Sequence, residues 1–199
     1  MLALLALGTA PASATVFLYS NVLTIAGEPT PEESVEIDFE WNRILLALPA
    51  ARDCVVPLTV VVVDSAEEAW GGGVSGIAAF YRRSQQTVYV EHGKVRAEHL
   101  IHEFAHHIDF SCGFGESALG AAFLIAEGFA PDHEWARGSG WRDVPAEYFA
   151  EAVVGTLGID SVDLPVTAEA FAAVTRFAAD GVDEAPPPRP HLEAIAALL

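Results

Sequence analysis

Residues 99–110 read His-Leu-Ile-His-Glu-Phe-Ala-His-His-Ile-Asp-Phe, and inside them His102-Glu103-Phe104-Ala105-His106 sets two imidazoles four positions apart. On an α-helix such positions share one face, so both rings can reach a single cation. Leu100, Ile101, Phe104, Ala105, Ile108 and Phe110 give the same stretch an apolar side to bury, which predicts a helix over residues 95–110 ending near Gly113. Glu103 stands next to the first histidine, where a carboxylate can take a proton from a metal-bound water. Zinc lowers the pKa of that water, and the carboxylate holds the nucleophile in place. His99 and His107 flank the motif on other faces of the helix and read as surface or supporting residues rather than ligands.

A zinc site needs a third protein ligand. The extended motif that continues with glycine and a third histidine is excluded, because Asp109 and Cys112 occupy those positions. A carboxylate from a later helix remains. In residues 144–155 (VPAEYFAEAVVG) Glu147 and Glu151 lie one turn apart among Tyr148, Phe149, Ala150, Val153 and Val154. Two acids on so apolar a helix need a partner. One can ligate while the other orients a ligand histidine from behind. Asp109, in the last turn of the motif helix, is a further candidate to hydrogen-bond a ligand imidazole.

Working outward, residues 31–48 (PEESVEIDFEWNRILLAL) open with proline and acids and then carry apolar side chains at helical spacing, which predicts a helix closed by Pro49. Residues 55–63 (VVPLTVVVV) form a β-branched run that reads as a buried strand. A short helix follows over 64–70, then a loop opened by Gly71-Gly72-Gly73. Strand-like segments at 77–81 and 87–91 are separated by five polar residues and suggest a hairpin. Helices are expected at about 116–127, 144–157 and 167–179. With no alternation of strand and helix, the order predicts an α+β fold with a small, mostly antiparallel sheet and a helical C-terminal half.

The 199 residues suit one domain, and 52% apolar composition is enough to bury a core. A formal charge of −18 with only ten Lys and Arg excludes a nucleic-acid partner. Residues 1–14 (MLALLALGTAPASA) have the apolar run and the A-x-A end of a secretory signal peptide, although no Lys or Arg precedes Arg43. That run is too short for a membrane span. The mature domain is then expected over 15–183, followed by a Pro-rich spacer and short apolar tail over 184–199. In an exported protein the two cysteines, Cys54 and Cys112, suggest one disulfide; in a reducing compartment they would be two buried thiols.

Three stretches, in order, resemble the gluzincin zinc metallopeptidases, specifically the catalytic domain of anthrax lethal factor and its secreted relatives. These are residues 38–50 (DFEWNRILLALPA), the passage from Tyr81 through HLIHEFAHHID, and residues 145–152 (PAEYFAEA). Together they span roughly residues 35–155. The resemblance implies a zincin-like fold and a secreted, monomeric endopeptidase acting on a peptide or protein substrate. It implies one Zn2+ held by His102, His106 and Glu147, with Glu103 as base and Glu151 behind a ligand histidine. It also implies that the strand at 87–91 lies along the cleft, with Thr87 and Tyr89 facing a substrate paired by β-augmentation. One position departs from the family. Seven residues before the third ligand the family places an oxyanion-binding tyrosine, and here Gly140 is followed by Trp141. His133, Trp141 and Arg142 are the candidate donors in its place, and loss of the phenol predicts slow turnover. The alternative is an exported zinc-bearing pseudo-peptidase that acts as a binding protein.

Overall fold

A computed structural model describes residues 22–160 and 164–182. The expected leader (1–14) and the spacer and tail (184–199) lie outside the described residues.

The described residues form a four-stranded sheet and six α-helices. The first strand, β1 (Leu23–Gly27), leads into helix α1 (Pro31–Ala47). Thr30 and Glu33 form a reciprocal capping box at the start of α1, satisfying two of the N–H groups a helix end leaves free. Ile37, Trp41, Ile44 and Leu45 line its buried face. A 3-10 turn over Pro49–Asp53 then feeds β2 (Leu58–Val63). A short helix, α2 (Ala66–Trp70), precedes the hairpin of β3 (Ala79–Arg82) and β4 (Thr87–Glu91).

The strand order is β1-β2-β4-β3, and it corrects the expected sheet. β1 pairs parallel with β2, and β2 pairs parallel with β4; only the β3–β4 hairpin is antiparallel. The sheet is therefore mostly parallel. Two physical reasons account for the difference. β1 is a five-residue edge strand with no fully buried position, so no alternation marks it in the sequence. Once β1 is present, α1 becomes the crossover of a β-α-β unit, which parallel neighbours require. The β-branched run of β2 is the central element, with Leu58, Val60 and Val62 in the core.

The rest is helical: α3 (Ala97–Cys112), α4 (Ala118–Ala126), α5 (Pro145–Thr156) and α6 (Ala168–Asp180). α3 packs against α5, α1 and the β3 edge of the sheet, while α4 and α6 close the far side. Phe114, Phe123, Phe149 and Phe177 are fully buried and meet edge-on or tilted beneath α5, which sets its height against α3. Cys54 and Cys112 form a disulfide across 58 positions, tying the end of α3 to the turn that enters β2. In the chain-entropy account a closed loop of that length stabilises the fold by about 4 kcal/mol. Among the described residues no helix is long and apolar enough to cross a membrane.

Candidate metal centre and cleft

α3 ends where Gly113 takes a left-handed conformation (φ 70°) and caps the helix on Asp109. Within it His102 and His106 project from one face, their rings edge-on with centroids 4.8 Å apart. α5 begins at Pro145, whose missing N–H falls where a helix leaves that group unbonded anyway. Its packing against α3 carries Glu147 over the two rings. Glu147 Oε2 lies 3.0 Å from His102 Nε2 and 3.5 Å from His106 Nε2, and the two Nε2 atoms are 3.2 Å apart. One turn later Glu151 Oε1 lies 2.9 Å from His102 Nδ1.

This geometry constrains the protons. Glu151 only accepts, so His102 Nδ1 carries the hydrogen and donates it. In the neutral ring, Nε2 then presents a lone pair to a carboxylate and to a second imidazole nitrogen. Acceptors so close repel one another unless a positive charge sits among them. In the metal-free protein a proton fills that role. Burial alone would lower the His102 pKa, but hydrogen bonds to Glu147 and Glu151 overcome it and raise it to about 10. Burial opposes the ionisation of Glu147 as well, yet the neighbouring His106 and His102 hold its carboxyl far below the ordinary range. His106 Nδ1 is buried with no hydrogen-bond partner. The three donor atoms of His102, His106 and Glu147 all lie within 4.8 Å of one another and can hold a metal ion. Two imidazoles and a carboxylate are a donor set that suits zinc.

Glu103 lies beside the candidate ligands, 9% exposed. Burial raises its pKa, while the His102 and His106 charges act in the opposite direction. It opens, with His102, Glu147 and Glu151, onto a cleft of about 570 Å³. Residues 75–79 form one wall, and Trp141 and Val154 contribute to the other.

The remaining candidates are distributed differently. Trp141, 46% exposed, lines the cleft. Arg142 stacks on the Trp141 ring 5.2 Å from its centroid, and its carbonyl accepts from the Tyr148 hydroxyl. His133 Nε2 lies 2.9 Å from the Asp143 carbonyl and pins the loop. Of the three candidate oxyanion donors, the cleft thus takes one. Asp109 is not on a ligand imidazole: its two oxygens accept from the Gly115 N–H and the Trp135 indole N–H. It ties the turn after α3 to the loop beyond α4, because Gly115 and Trp135 each bring one N–H donor to the buried carboxylate. His99 lines the cleft with Nδ1 on the Lys94 carbonyl, and His92 pairs with Glu33.

Thr87 and Tyr89 do not face the cleft. β4 lies between β2 and β3, so both its edges are taken. Thr87 is buried with its hydroxyl on the Gln85 carbonyl, and Tyr89 stacks on Phe80 and donates to the Gln85 side chain. The edge strand is β3. Glu91 N–H donates to the Ala78 carbonyl, so in the β3–β4 register residues 78, 80 and 82 point their backbone groups at β4. Ala79 and Tyr81 then point theirs outward, toward the cleft and α3. Residues 75–79 are what sequence reasoning missed. Their signal was the glycine-rich loop running directly into Ile77-Ala78-Ala79, an apolar segment that leads into the edge strand.

Comparison of the chain with protein-family models, with curated proteins and with solved structures found no match.

Proposed function

We propose that this protein is an exported zinc endopeptidase of the gluzincin type, hydrolysing peptide bonds in an extended peptide or protein substrate. The observation that carries the reading is the convergence of His102 Nε2, His106 Nε2 and the Glu147 carboxylate beside Glu103 in an open cleft. Zinc held by those three residues supplies a Lewis acid that lowers the pKa of water and polarises a carbonyl. Glu103 accepts the proton lost by water as oxygen attacks the scissile carbon, and returns it to the amine as the C–N bond breaks. Glu151 fixes His102 in the tautomer that leaves Nε2 free to ligate. The outward backbone groups at Ala79 offer one pair of hydrogen bonds to a substrate strand. The Trp141 indole N–H is the donor in the cleft for a developing oxyanion. Export is supported by the leader-like residues 1–14 and the Cys54–Cys112 disulfide.

The test is metal analysis joined to proteome-wide cleavage profiling of the purified protein. One equivalent of zinc and defined cleavage sites are expected, with cleavage lost and zinc kept in Glu103→Gln. A second reading, a zinc-bearing binding protein without turnover, draws on Trp141 standing in the cleft where a phenol would serve better. Zinc retained with no cleavage in either form selects it. Absence of zinc from the purified, zinc-supplemented protein sinks both.

A further inference from the structure

The two walls of the cleft are held in different ways. α5, which brings Glu147, Glu151 and Val154 to it, packs along α3 and is fixed by the core beneath. The facing wall begins in the loop between α2 and β3, where Ser75 and Gly76 line the cleft. The roots of that loop are firm. At one end Trp70 packs edge-on against Phe80, ring centroids 5.0 Å apart, and the Arg82 guanidinium donates to the Ala69 carbonyl at 2.9 Å. The end of α2 is thereby tied to β3. At the other end the Glu91 N–H holds the Ala78 carbonyl against β4.

Between these roots little holds the chain. Residues 71–76 read Gly-Gly-Gly-Val-Ser-Gly, and all six are exposed. The four glycines have φ between +76° and +116°, a region other residues enter only with strain, and nothing stands within 4 Å of where a Cβ would be. Residues 73–75 make no hydrogen bond to any described residue. One side-chain tie crosses the loop: the Gly76 N–H donates to the Glu67 carboxylate on α2. Val74, the one large side chain of the six, is 44% exposed beside the lining residue Ser75, and Trp141 on the facing wall is exposed as well. Apolar groups left in water on both sides of a cleft are covered when an apolar ligand lies between them. Firm roots, glycine hinges, an unbonded middle and an apolar tip describe a segment of low local stability that moves as a unit.

We propose that residues 71–76 are a flap that closes over an extended peptide in the cleft and carries Val74 onto it, and that the Glu67 carboxylate is the latch that holds the flap open in the free protein. The occupant rests on the peptidase reading; the flap does not. Closure removes water from around the bound carbonyl and strengthens every electrostatic interaction there. The alternative is a loop fixed by Glu67 that only shapes the wall.

The experiment uses the zinc-supplemented full chain and two probes. Ac-Leu-Ala-Leu-hydroxamate anchors on the metal and extends a chain along the cleft, while acetohydroxamate fills the metal site alone. In the free protein, amide relaxation by NMR should give residues 72–76 order parameters below about 0.6, against about 0.85 for α5. The peptide hydroxamate should raise the flap values toward those of α5, and acetohydroxamate should leave them low. Val74→Ser should weaken the peptide hydroxamate about tenfold and acetohydroxamate not at all. Glu67→Ala should strengthen the peptide hydroxamate a few-fold, because the latched state no longer competes with closure. Flap amides as rigid as α5 in the free protein, order parameters that ignore the bound peptide hydroxamate, or unchanged affinity in Val74→Ser each overturn the proposal. Weaker binding in Glu67→Ala overturns the latch. A chain that takes up no zinc and binds neither probe counts against the peptidase reading instead. The mobility of residues 72–76 in the free chain, and its further rise in Glu67→Ala, then decides whether the flap exists.

Discussion

Helix α3 carries two polar clusters, one buried and one half-buried at the cleft, and they are built on opposite principles. On the side facing β2 and the turn after the helix, both ionisable side chains find their complements: His107 lies between a carbonyl and a hydroxyl, and Asp109 between two N–H donors. On the side facing α5, His102 Nε2, His106 Nε2 and Glu147 Oε2 crowd together as acceptors, with His106 Nδ1 left unpaired. A complemented cluster is complete as it stands and serves the fold. A cluster of converging acceptors is incomplete, and only a cation or a proton resolves it. The contrast singles out the same candidate metal site without appeal to any motif.

The largest expected effect tests that contrast directly. Glu147→Ala removes the charge that makes the acceptor cluster specific for a dication, and it should abolish stoichiometric zinc and with it any peptide cleavage. Zinc should also stop stabilising the fold. A ligand at about a thousand times its Kd adds about 4 kcal/mol. For a domain of this size that corresponds to roughly 8–16 °C in Tm. Calorimetry with zinc and with chelator reads this: a wild-type shift that disappears in Glu147→Ala is expected, and an equal shift in both proteins would mean the metal sits elsewhere. A smaller effect sharpens the picture. Glu151→Gln still meets His102 Nδ1 but no longer supports the ring with a charge, and zinc affinity should fall by about 10–100-fold with the stoichiometry intact. Competition with a zinc-binding dye measures it; unchanged affinity would make Glu151 a packing residue.

The acceptor cluster was readable in the sequence because its parts are local. Helical periodicity places His102 beside His106 and Glu147 beside Glu151, and the apolar surroundings of both pairs point them inward. Their convergence needs only that the two helices pack face to face. The sheet was not readable in the same way. β3 and β4 have similar local patterns, and nothing local says that β4 is enclosed while β3 is the edge. Strand order is set by pairing partners far away in sequence, such as Val61 with Tyr89. For that reason the local pattern points Thr87 and Tyr89 at a cleft that residues 75–79 line instead. Asp109 failed for a related cause. It sits on the helix where a carboxylate could reach His106, but its better-matched donors come from Gly115 and from Trp135, twenty-six residues on.

The complemented side can be broken too, with the opposite signature. Asp109→Asn keeps the shape but turns one accepting oxygen into a donor facing another donor, which should cost about 1–3 kcal/mol of stability and leave zinc binding alone. Its pH dependence is the finer test. Burial, the largest influence, outweighs the two N–H donors and raises the Asp109 pKa from 3.8 to about 6. A carboxyl raised on folding binds its proton more tightly in the native state, so its contribution is fully present below the unfolded value near 4 and is lost as pH rises through 6. The stability difference between wild type and Asp109→Asn should therefore widen as pH falls from 7 to 4, by up to about 3 kcal/mol. Urea unfolding of the chelated proteins at several pH values measures the difference while keeping the metal out of the comparison. A difference that stays flat across that range would mean Asp109 is ionised throughout and that its two donors, rather than its burial, govern it.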